Sequence, residues 1–184
     1  GTATATIPAD KIFDPAGNGN EAISFTWTYD GTAPSVSSVT ALIADGSYIE
    51  GQQIPIALIF TENVTVVDTP TLAIPPGPFG YQVPYASGSG SDTLIFNYVI
   101  QEGHNANDLG YSSSSALSLN GGSIKDSYTN AANLSLPAPG ESGSLSANKN
   151  IVIDTSDPVI VITVTNALNE KSQAHRLPMI PRSI

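Results

Sequence analysis

The sequence predicts an all-β sandwich, and three observations support this prediction. Short runs rich in Val, Ile, Thr, Tyr and Phe recur along the 184 residues, separated by 16 Gly, 14 Pro and many Ser, Thr and Asn. No window keeps the i, i+3, i+4, i+7 apolar spacing of an amphipathic helix. The chain has no Cys, so apolar burial stabilises it without disulfides. These features are typical of an antiparallel sandwich of short strands.

The strand pattern occurs at residues 22–29, 35–42, 54–60, 64–67, 70–74, 81–86, 92–100, 116–120, 133–136, 150–154 and 159–165. In DTLIFNYVI (92–100), apolar residues occupy both alternating sets, which predicts a central, largely buried strand. GSGSD (88–92) lies between two strands and predicts a hairpin turn.

Aromatic residues alternate along SFTWTY, where Phe25, Trp27 and Tyr29 share one side of a predicted strand. Large aromatic side chains are mostly buried in folded proteins. We therefore predict that all three belong to a hydrophobic core.

The charge balance restricts the partners. The chain carries 16 acidic residues against 6 Lys and Arg, a net charge of −10. Lys171, Arg176 and Arg182 lie in the last 14 residues, so residues 1–170 hold 16 acids and 3 lysines, a net of −13. Such a surface repels nucleic-acid phosphates and anionic membranes, but it suits hard cations with oxygen ligands. No apolar run approaches the roughly 20 residues that span a bilayer. We predict no nucleic-acid partner and no direct membrane insertion.

An internal repeat sets the predicted domain organisation. Residues 10–34 align with residues 122–158 through four matched pairs: Asp14 with Asp126, Asn18 with Asn130, Asp30 with Asp154, and Pro34 with Pro158. The first pair is 126 − 14 = 112 residues apart and the third is 154 − 30 = 124 residues apart, and the difference of 12 matches the insertion PAPGESGSLSAN. The two Asp-to-Pro connectors, YDGTAPSV and IDTSDPVI, therefore mark domain boundaries.

Three parts follow from these boundaries. Residues 1–32 are predicted to be the last two strands of one repeat, residues 33–156 a complete repeat, and residues 157–184 the start of a further repeat. We expect the tail of the last part to be poorly ordered, because it is basic, contains prolines and lacks alternation. The chain is interpreted as a piece of a longer tandem array.

Several motifs in order carry a resemblance to a known family. FTENVTVVDTPTLAI, GSGSDTLIFNYVIQEG, DLGYSSSSALSLNGGSIKD and the DGTAP connector resemble the bacterial immunoglobulin-like repeats of large cell-surface and secreted adhesins. The resemblance implies Ig-like antiparallel β-sandwich repeats, joined end to end with neighbouring repeats of the same chain at the cell surface or outside the cell. It also implies a structural spacer in an adhesin rod, stiffened by calcium near domain junctions. DSYTN (126–130) departs from the DxAGN pattern that DPAGN (14–18) follows, which favours Asp14 over Asp126 as a ligand.

Calcium is the cofactor that the sequence predicts. Ca²⁺ takes six to eight oxygen ligands from carboxylates, carboxamides and carbonyls. Eight residues in predicted loops or at strand ends offer such oxygens: Asp14, Asn18, Asp30, Asp45, Glu62, Asp126, Asn130 and Asp154. The other interpretation is turn formation, because Asp and Asn side chains accept hydrogen bonds from their own backbone. Both interpretations stay open from the sequence.

Binding and catalysis complete the possibilities. Phe79, Tyr81 and Tyr85 lie in a Pro-rich segment and either present an aromatic surface to a host glycan or surface protein, or cap the core. A carbohydrate- or protein-binding module and an accessory domain of a secreted hydrolase are therefore the alternative functions. We predict no enzymatic activity, because no G-x-S-x-G elbow is present and His104 is a lone loop histidine expected to be solvated.

Overall fold

The computed structural model describes residues 1–75, 80–158, 161–162 and 175–176. An N-terminal hairpin, β1 (Thr2–Ile7) with β2 (Ile23–Thr28), precedes a larger all-β unit that contains the hydrophobic core. The prediction of an all-β, sandwich-like fold with antiparallel sheets is confirmed.

The larger unit is built on antiparallel strands that curl over their own core. Its strands are β3 (Val36–Ala41), β4 (Gly46–Tyr48), β5 (Gln53–Val67), β6 (Thr71–Ile74), β7 (Tyr81–Ser87), β8 (Ser91–Val99), β9 (Leu117–Ser118), β10 (Ser123–Lys125) and β11 (Ile151–Ile153). The main ladder runs β10-β5-β8-β7-β6-β9, and β3 also pairs with β5. The strand β8 is central and largely buried, as predicted.

Two strands change partners partway along, which closes the fold. The first half of β5 pairs with β3 and β8, whereas Thr65–Val67 pairs with β10 beyond a register shift between Ile59 and Val64. Likewise, β7 pairs with β6 up to Pro84 and with β8 from Tyr85 onward. Irregularities of this kind bend a strand and increase its twist. The segments predicted as separate strands at 54–60 and 64–67 are therefore one bent strand.

Smaller elements complete the unit. The strands β4 and β11 form a parallel pair. A short helix, α1 (Leu145–Asn148), has Ser144 as its N-cap, and the Ser144 hydroxyl accepts a hydrogen bond from the Ala147 amide at 3.3 Å. The predicted turn at 88–92 is present, with Gly88 and Gly90 at φ of 107° and 91°. A Cβ on Gly88 would lie 2.0 Å from the Thr93 carbonyl oxygen, so only glycine fits there.

The strand predicted at residues 133–136 is wrong. Only an isolated bridge joins Asn133 to Ser35, and the Asn133 side chain accepts a hydrogen bond from the Ser135 amide at 3.0 Å. A local turn of this type offers the backbone an alternative to a strand ladder. The strand predicted at 159–165 lies mostly outside the described residues, as does the tail; within them, β12 (Val161–Ile162) pairs with β13 (His175–Arg176).

The core lies entirely within the predicted complete repeat. Its buried apolar side chains run from Val36 to Ile153, and the largest include Tyr98, Phe96 and Leu94 on β8. By contrast, the prediction that Phe25, Trp27 and Tyr29 are core residues is wrong, since they are 66%, 44% and 57% exposed. The hairpin that carries them has no second layer within the described residues.

Candidate metal site

The two copies of the internal repeat form the same turn. Asp14 Oδ1 accepts hydrogen bonds from the Ala16 and Asn18 amides, and its Oδ2 accepts one from the Asn18 carboxamide, each at 2.9 Å. Asp126 does the same with the Tyr128 and Asn130 amides and with the Asn130 carboxamide, at 2.7–2.9 Å. DSYTN therefore folds as DPAGN does, although it lacks the glycine.

The position of that glycine explains why the departure is tolerated. Gly17 has a φ of 87°, and Thr129 at the equivalent position has a φ of 71°. A β-branched residue rarely adopts this left-handed conformation. The hydrogen bonds of the Asp126 side chain hold Thr129 in the turn despite that preference.

The two connectors also match. Asp30 Oδ1 accepts a hydrogen bond from the Thr32 amide at 3.0 Å, and Asp154 Oδ1 accepts one from the Ser156 amide at 2.9 Å. The aligned pairs thus have the same local geometry in both copies.

Three of the predicted ligands converge at the first connector. Each of Asp30, Glu62 and Asp126 offers a carboxylate oxygen, and these oxygens all lie within 4.8 Å of one another. Asp30 belongs to the connector, Glu62 to β5 near its change of partner, and Asp126 to the turn after β10. A junction residue therefore meets two residues of the complete repeat.

The cluster is electrostatically costly without a cation. Desolvation, followed by the charges of Asp126 and Asp30, raises the pKa of Glu62. The hydrogen bond from the Thr32 amide lowers the pKa of Asp30. Asp126 is only 5% exposed, so one of the three carboxylates is nearly removed from water. Crowded carboxylates favour either a proton or a bound cation.

The donor set fits a hard cation. Ca²⁺ lies about 2.3–2.6 Å from its oxygen ligands, so ligands on opposite sides of one ion are separated by roughly 4.6–5.2 Å. The 4.8 Å limit on the three carboxylate oxygens is consistent with that span. Asp30, Glu62 and Asp126 could therefore hold Ca²⁺ as carboxylate ligands, with further oxygens coming from backbone or water.

The other predicted acidic ligands do not join this group among the described residues, whereas Asn130 adjoins it by donating a hydrogen bond to Asp126 Oδ2 at 2.7 Å. Asp14 and Asn18 lie in the equivalent turn of the N-terminal copy, and Asp154 lies in the second connector. Asp45 lies 3.6 Å from the Lys149 ammonium and also accepts a hydrogen bond from the Asn150 amide. The sequence pattern favoured Asp14 over Asp126, whereas the described cluster contains Asp126.

Hydrogen bonds brace both connectors against the complete repeat. The Asn130 carboxamide donates to the Asp30 carbonyl at 3.1 Å, so the same side chain joins the turn to the first connector. In the second connector, Thr155 accepts a hydrogen bond from the Gly103 amide at 3.1 Å and donates one from its own amide to Asn105 at 2.9 Å. No local sequence pattern predicts the roles of Gly103, Asn105 and Thr155, because they join segments about fifty residues apart.

The predicted aromatic surface contributes to the fold. Tyr81 packs against His104 and Tyr98 with ring centroids 5.1 and 5.9 Å away, and Tyr85 packs edge-on against Phe96 at 6.1 Å. The Tyr85 hydroxyl also accepts a hydrogen bond from the backbone at 2.7 Å. Phe79 lies outside the described residues.

His104 is not simply solvated, contrary to expectation. Its Nδ1 lies 2.8 Å from the Tyr98 hydroxyl, and its ring stacks on the Tyr98 ring at an interplanar angle of 14°. Burial lowers the pKa of His104, and burial together with the Tyr81 charge raises the pKa of Tyr98 to about 12. Tyr98 belongs to the hydrophobic core, so this contact attaches the loop of His104 to it.

Comparison with protein-family models, with curated proteins and with solved structures gives no match. The Ig-like family assignment therefore remains a prediction from the sequence. Among the described residues, no helix has the length and apolar character needed to span a membrane.

Proposed function

We propose that this chain is a structural spacer: tandem β-sandwich repeats of the Ig-like kind, joined by braced connectors in an extracellular adhesin rod and stiffened by Ca²⁺ at the junctions. The observation that carries the proposal is the convergence of Asp30, from the connector, with Glu62 and Asp126, from the repeat that follows it. An ion held by all three would fix the connector to the repeat and limit the angle between neighbours.

The internal repeat supports a related site at neighbouring junctions, because two of the three carboxylates have an equivalent in the other copy. Asp154 is the equivalent of Asp30 in the second connector, and Asp14 is the equivalent of Asp126 in the preceding copy. Each repeat would then supply a turn Asp and a strand Glu to one junction and a connector Asp to the next. Bound cations would also relieve the repulsion of the net charge of −13 on residues 1–170.

Two contributions would stiffen the junctions: hydrogen bonds within the protein and a bound Ca²⁺ ion. The Asn130 and Thr155 hydrogen bonds hold the connectors to the repeat without metal. Ca²⁺ would add a bridge that exists only in the folded, docked state. Ligand that binds only the folded state adds about 2.7 kcal/mol of stability at a hundred times its dissociation constant.

Thermal unfolding of the full chain in excess Ca²⁺ and then in EDTA tests the proposal. We expect a higher midpoint in Ca²⁺, by on the order of 10 °C for a domain of this size. Asp126→Asn and Glu62→Gln should abolish the difference, whereas the matched variant Asp14→Asn, in the same kind of turn but outside the cluster, should retain it. Equal midpoints in Ca²⁺ and EDTA would leave a spacer without a metal.

A binding module for glycan or protein has less support. Two of its three predicted contact residues, Tyr81 and Tyr85, direct their rings against His104, Tyr98 and Phe96. A glycan array probed with the full chain distinguishes the functions, since a hit lost on Tyr81→Ala in a still-folded variant would favour the binding module.

A further inference from the structure

The N-terminal hairpin has one apolar and one polar face. Its cross-strand apolar pairs are Ala3 with Trp27, Ala5 with Phe25, and Ile7 with Ile23. On the other face, hydroxyl pairs such as Thr4 and Thr26 contact each other at 3.0 Å. Two-stranded hairpins are marginally stable alone in water, so a persistent apolar face of this kind requires a cover.

The internal repeat shows what the equivalent residues do in a complete unit. Three exposed residues of the N-terminal part correspond to buried residues of the complete repeat: Ile12 (59% exposed) to Ile124 (2%), Trp27 (44%) to Ile151 (0%), and Tyr29 (57%) to Ile153 (2%). The equivalence rests on the matched turns and connectors described above. Ile12, Trp27 and Tyr29 therefore occupy core positions without their core, and Trp27 lies on the apolar face of the hairpin.

The elements that bury these equivalents are specific. Ile124 on β10 lies opposite Val66 of β5, and β11 pairs with β4. On the other side of β11, the Leu109 amide donates a hydrogen bond to the Ile151 carbonyl at 2.8 Å. The neighbours of these buried positions are thus the strands β4 and β5 and the loop that ends at Leu109.

We infer that β1 and β2, through their exposed apolar residues, bind one kind of partner, the N-terminal part of another repeat of this type, with strands equivalent to β4, β5 and β6. The partner's matching chemistry is the alternating apolar residues of a strand equivalent to β5. The inference rests on the tandem-repeat part of the proposed function, but the interaction needs neither calcium nor the junction cluster.

In the complete repeat, the equivalents of β1 and β2 do not pair with each other; β9 pairs with β6, and β11 pairs with β4. Docking of the partner would therefore open the ladder between β1 and β2 and place the two strands in separate ladders. The hairpin is the form that these strands take without the partner.

An N-terminal extension of the full chain tests the inference. The extension copies residues 33–112 of this sequence and joins them directly to Gly1, because the offset of 112 places residue 112 immediately before that position. Trp27 is the only tryptophan, so its fluorescence reports on this face alone. We expect blue-shifted emission and several-fold weaker acrylamide quenching than in the unextended chain, with a second unfolding transition. A matched extension that carries Leu58→Asp, and so cannot form its core, should leave Trp27 exposed.

A second measurement reads strand separation directly. The Thr4→Cys/Thr26→Cys pair introduces the only two cysteines, at positions that face each other across the hairpin. Oxidation should close this disulfide readily in the unextended chain and in the Leu58→Asp extension, and several-fold more slowly in the extended chain. The same measurement in a Trp27→Ile background covers the case in which the larger Trp27 side chain does not fit the copied segment.

Three results would overturn the inference. In the first, acrylamide quenches Trp27 as fully in the extended chain as in the unextended chain, and the disulfide closes at equal rates in all extended chains, including the Trp27→Ile form. The second is the absence of a second unfolding transition in both extended backgrounds. The third is a concentration-dependent burial of Trp27 in the unextended chain with dimers in sedimentation, which would assign the face to a second copy.

Discussion

Asn130 donates a hydrogen bond to the carbonyl of Asp30, 100 residues earlier in the chain, across a distance of 3.1 Å. The same carboxamide nitrogen lies 2.7 Å from Asp126 Oδ2. One side chain therefore closes a local turn and ties the connector to the complete repeat. This contact brings Asp30 to the place where Asp126 already lies.

Removing that side chain should loosen the junction. We expect Asn130→Ala to lower the unfolding free energy by about 1–3 kcal/mol, because buried Asp126 loses a partner and the connector loses its tether. Urea unfolding followed by circular dichroism measures the change. The matched variant Asn18→Ala, which removes the same turn contact from the exposed hairpin, should leave the main transition in place; equal losses in both variants would contradict a junction role.

Local sequence patterns predicted the strands whose neighbours lie close in the chain. Alternation identified β8, and the glycines of GSGSD identified the turn before it. The repeat alignment predicted that the turns of Asp14 and Asp126 are equivalent, because the same side-chain spacing produces the same hydrogen bonds.

Contacts between segments distant in the chain determine the features that the sequence did not predict. The candidate residues of the cluster were all named, but nothing local indicates that Asp30, Glu62 and Asp126 meet while Asp45 pairs with Lys149. The burial of Trp27 was mispredicted for the same reason. Its apolar character is local, whereas the layer that would cover it is not.

Equivalent positions in the two copies should respond differently to truncation. We expect Ile151→Ala to cost about 2–5 kcal/mol, since a fully buried side chain leaves a cavity. Trp27→Ala, at the equivalent exposed position, should change the main unfolding transition by less than about 0.5 kcal/mol. Urea unfolding monitored by far-ultraviolet circular dichroism serves both variants, and a large loss for Trp27→Ala would show that the hairpin packs on the repeat.

His104 should give the fold a pH dependence of a definite sign. Burial lowers the pKa of His104 below its ordinary value of 6.5, so the unfolded chain takes up the proton first as the pH falls. Stability from this group is therefore complete above pH 6.5 and declines as the pH drops from there to the lowered pKa. The urea midpoint should fall over this range more steeply in the parent chain than in His104→Gln.

Tyr98→Phe separates the hydrogen bond from the titration. It removes the hydroxyl that contacts His104 Nδ1 but keeps the stacked ring. We expect a loss of about 1 kcal/mol that is similar at neutral and mildly acidic pH. If the urea midpoint of His104→Gln falls on acidification as steeply as that of the parent chain, groups other than His104 control the pH response.

Glu62 should act in the opposite direction when no cation is present. Desolvation and the charges of Asp126 and Asp30 raise the pKa of Glu62 above its ordinary value of 4.5, so the folded chain holds the proton to higher pH than the unfolded chain does. Stability therefore falls as the pH rises from 4.5 through the raised pKa. The lowered pKa of Asp30 contributes stability that is lost on acidification, but the parent chain and a Glu62 variant share that contribution and it cancels in their comparison.

In EDTA at pH 7, we expect Glu62→Gln to unfold at higher urea than the parent chain, and the difference should vanish toward pH 4. In excess Ca²⁺ the order should reverse, because only the parent chain keeps the full carboxylate set. The exposed variant Glu50→Gln controls for the loss of one negative charge, and a Glu62→Gln chain that is less stable than the parent in EDTA at pH 7 would refute the carboxylate repulsion on which the metal site depends.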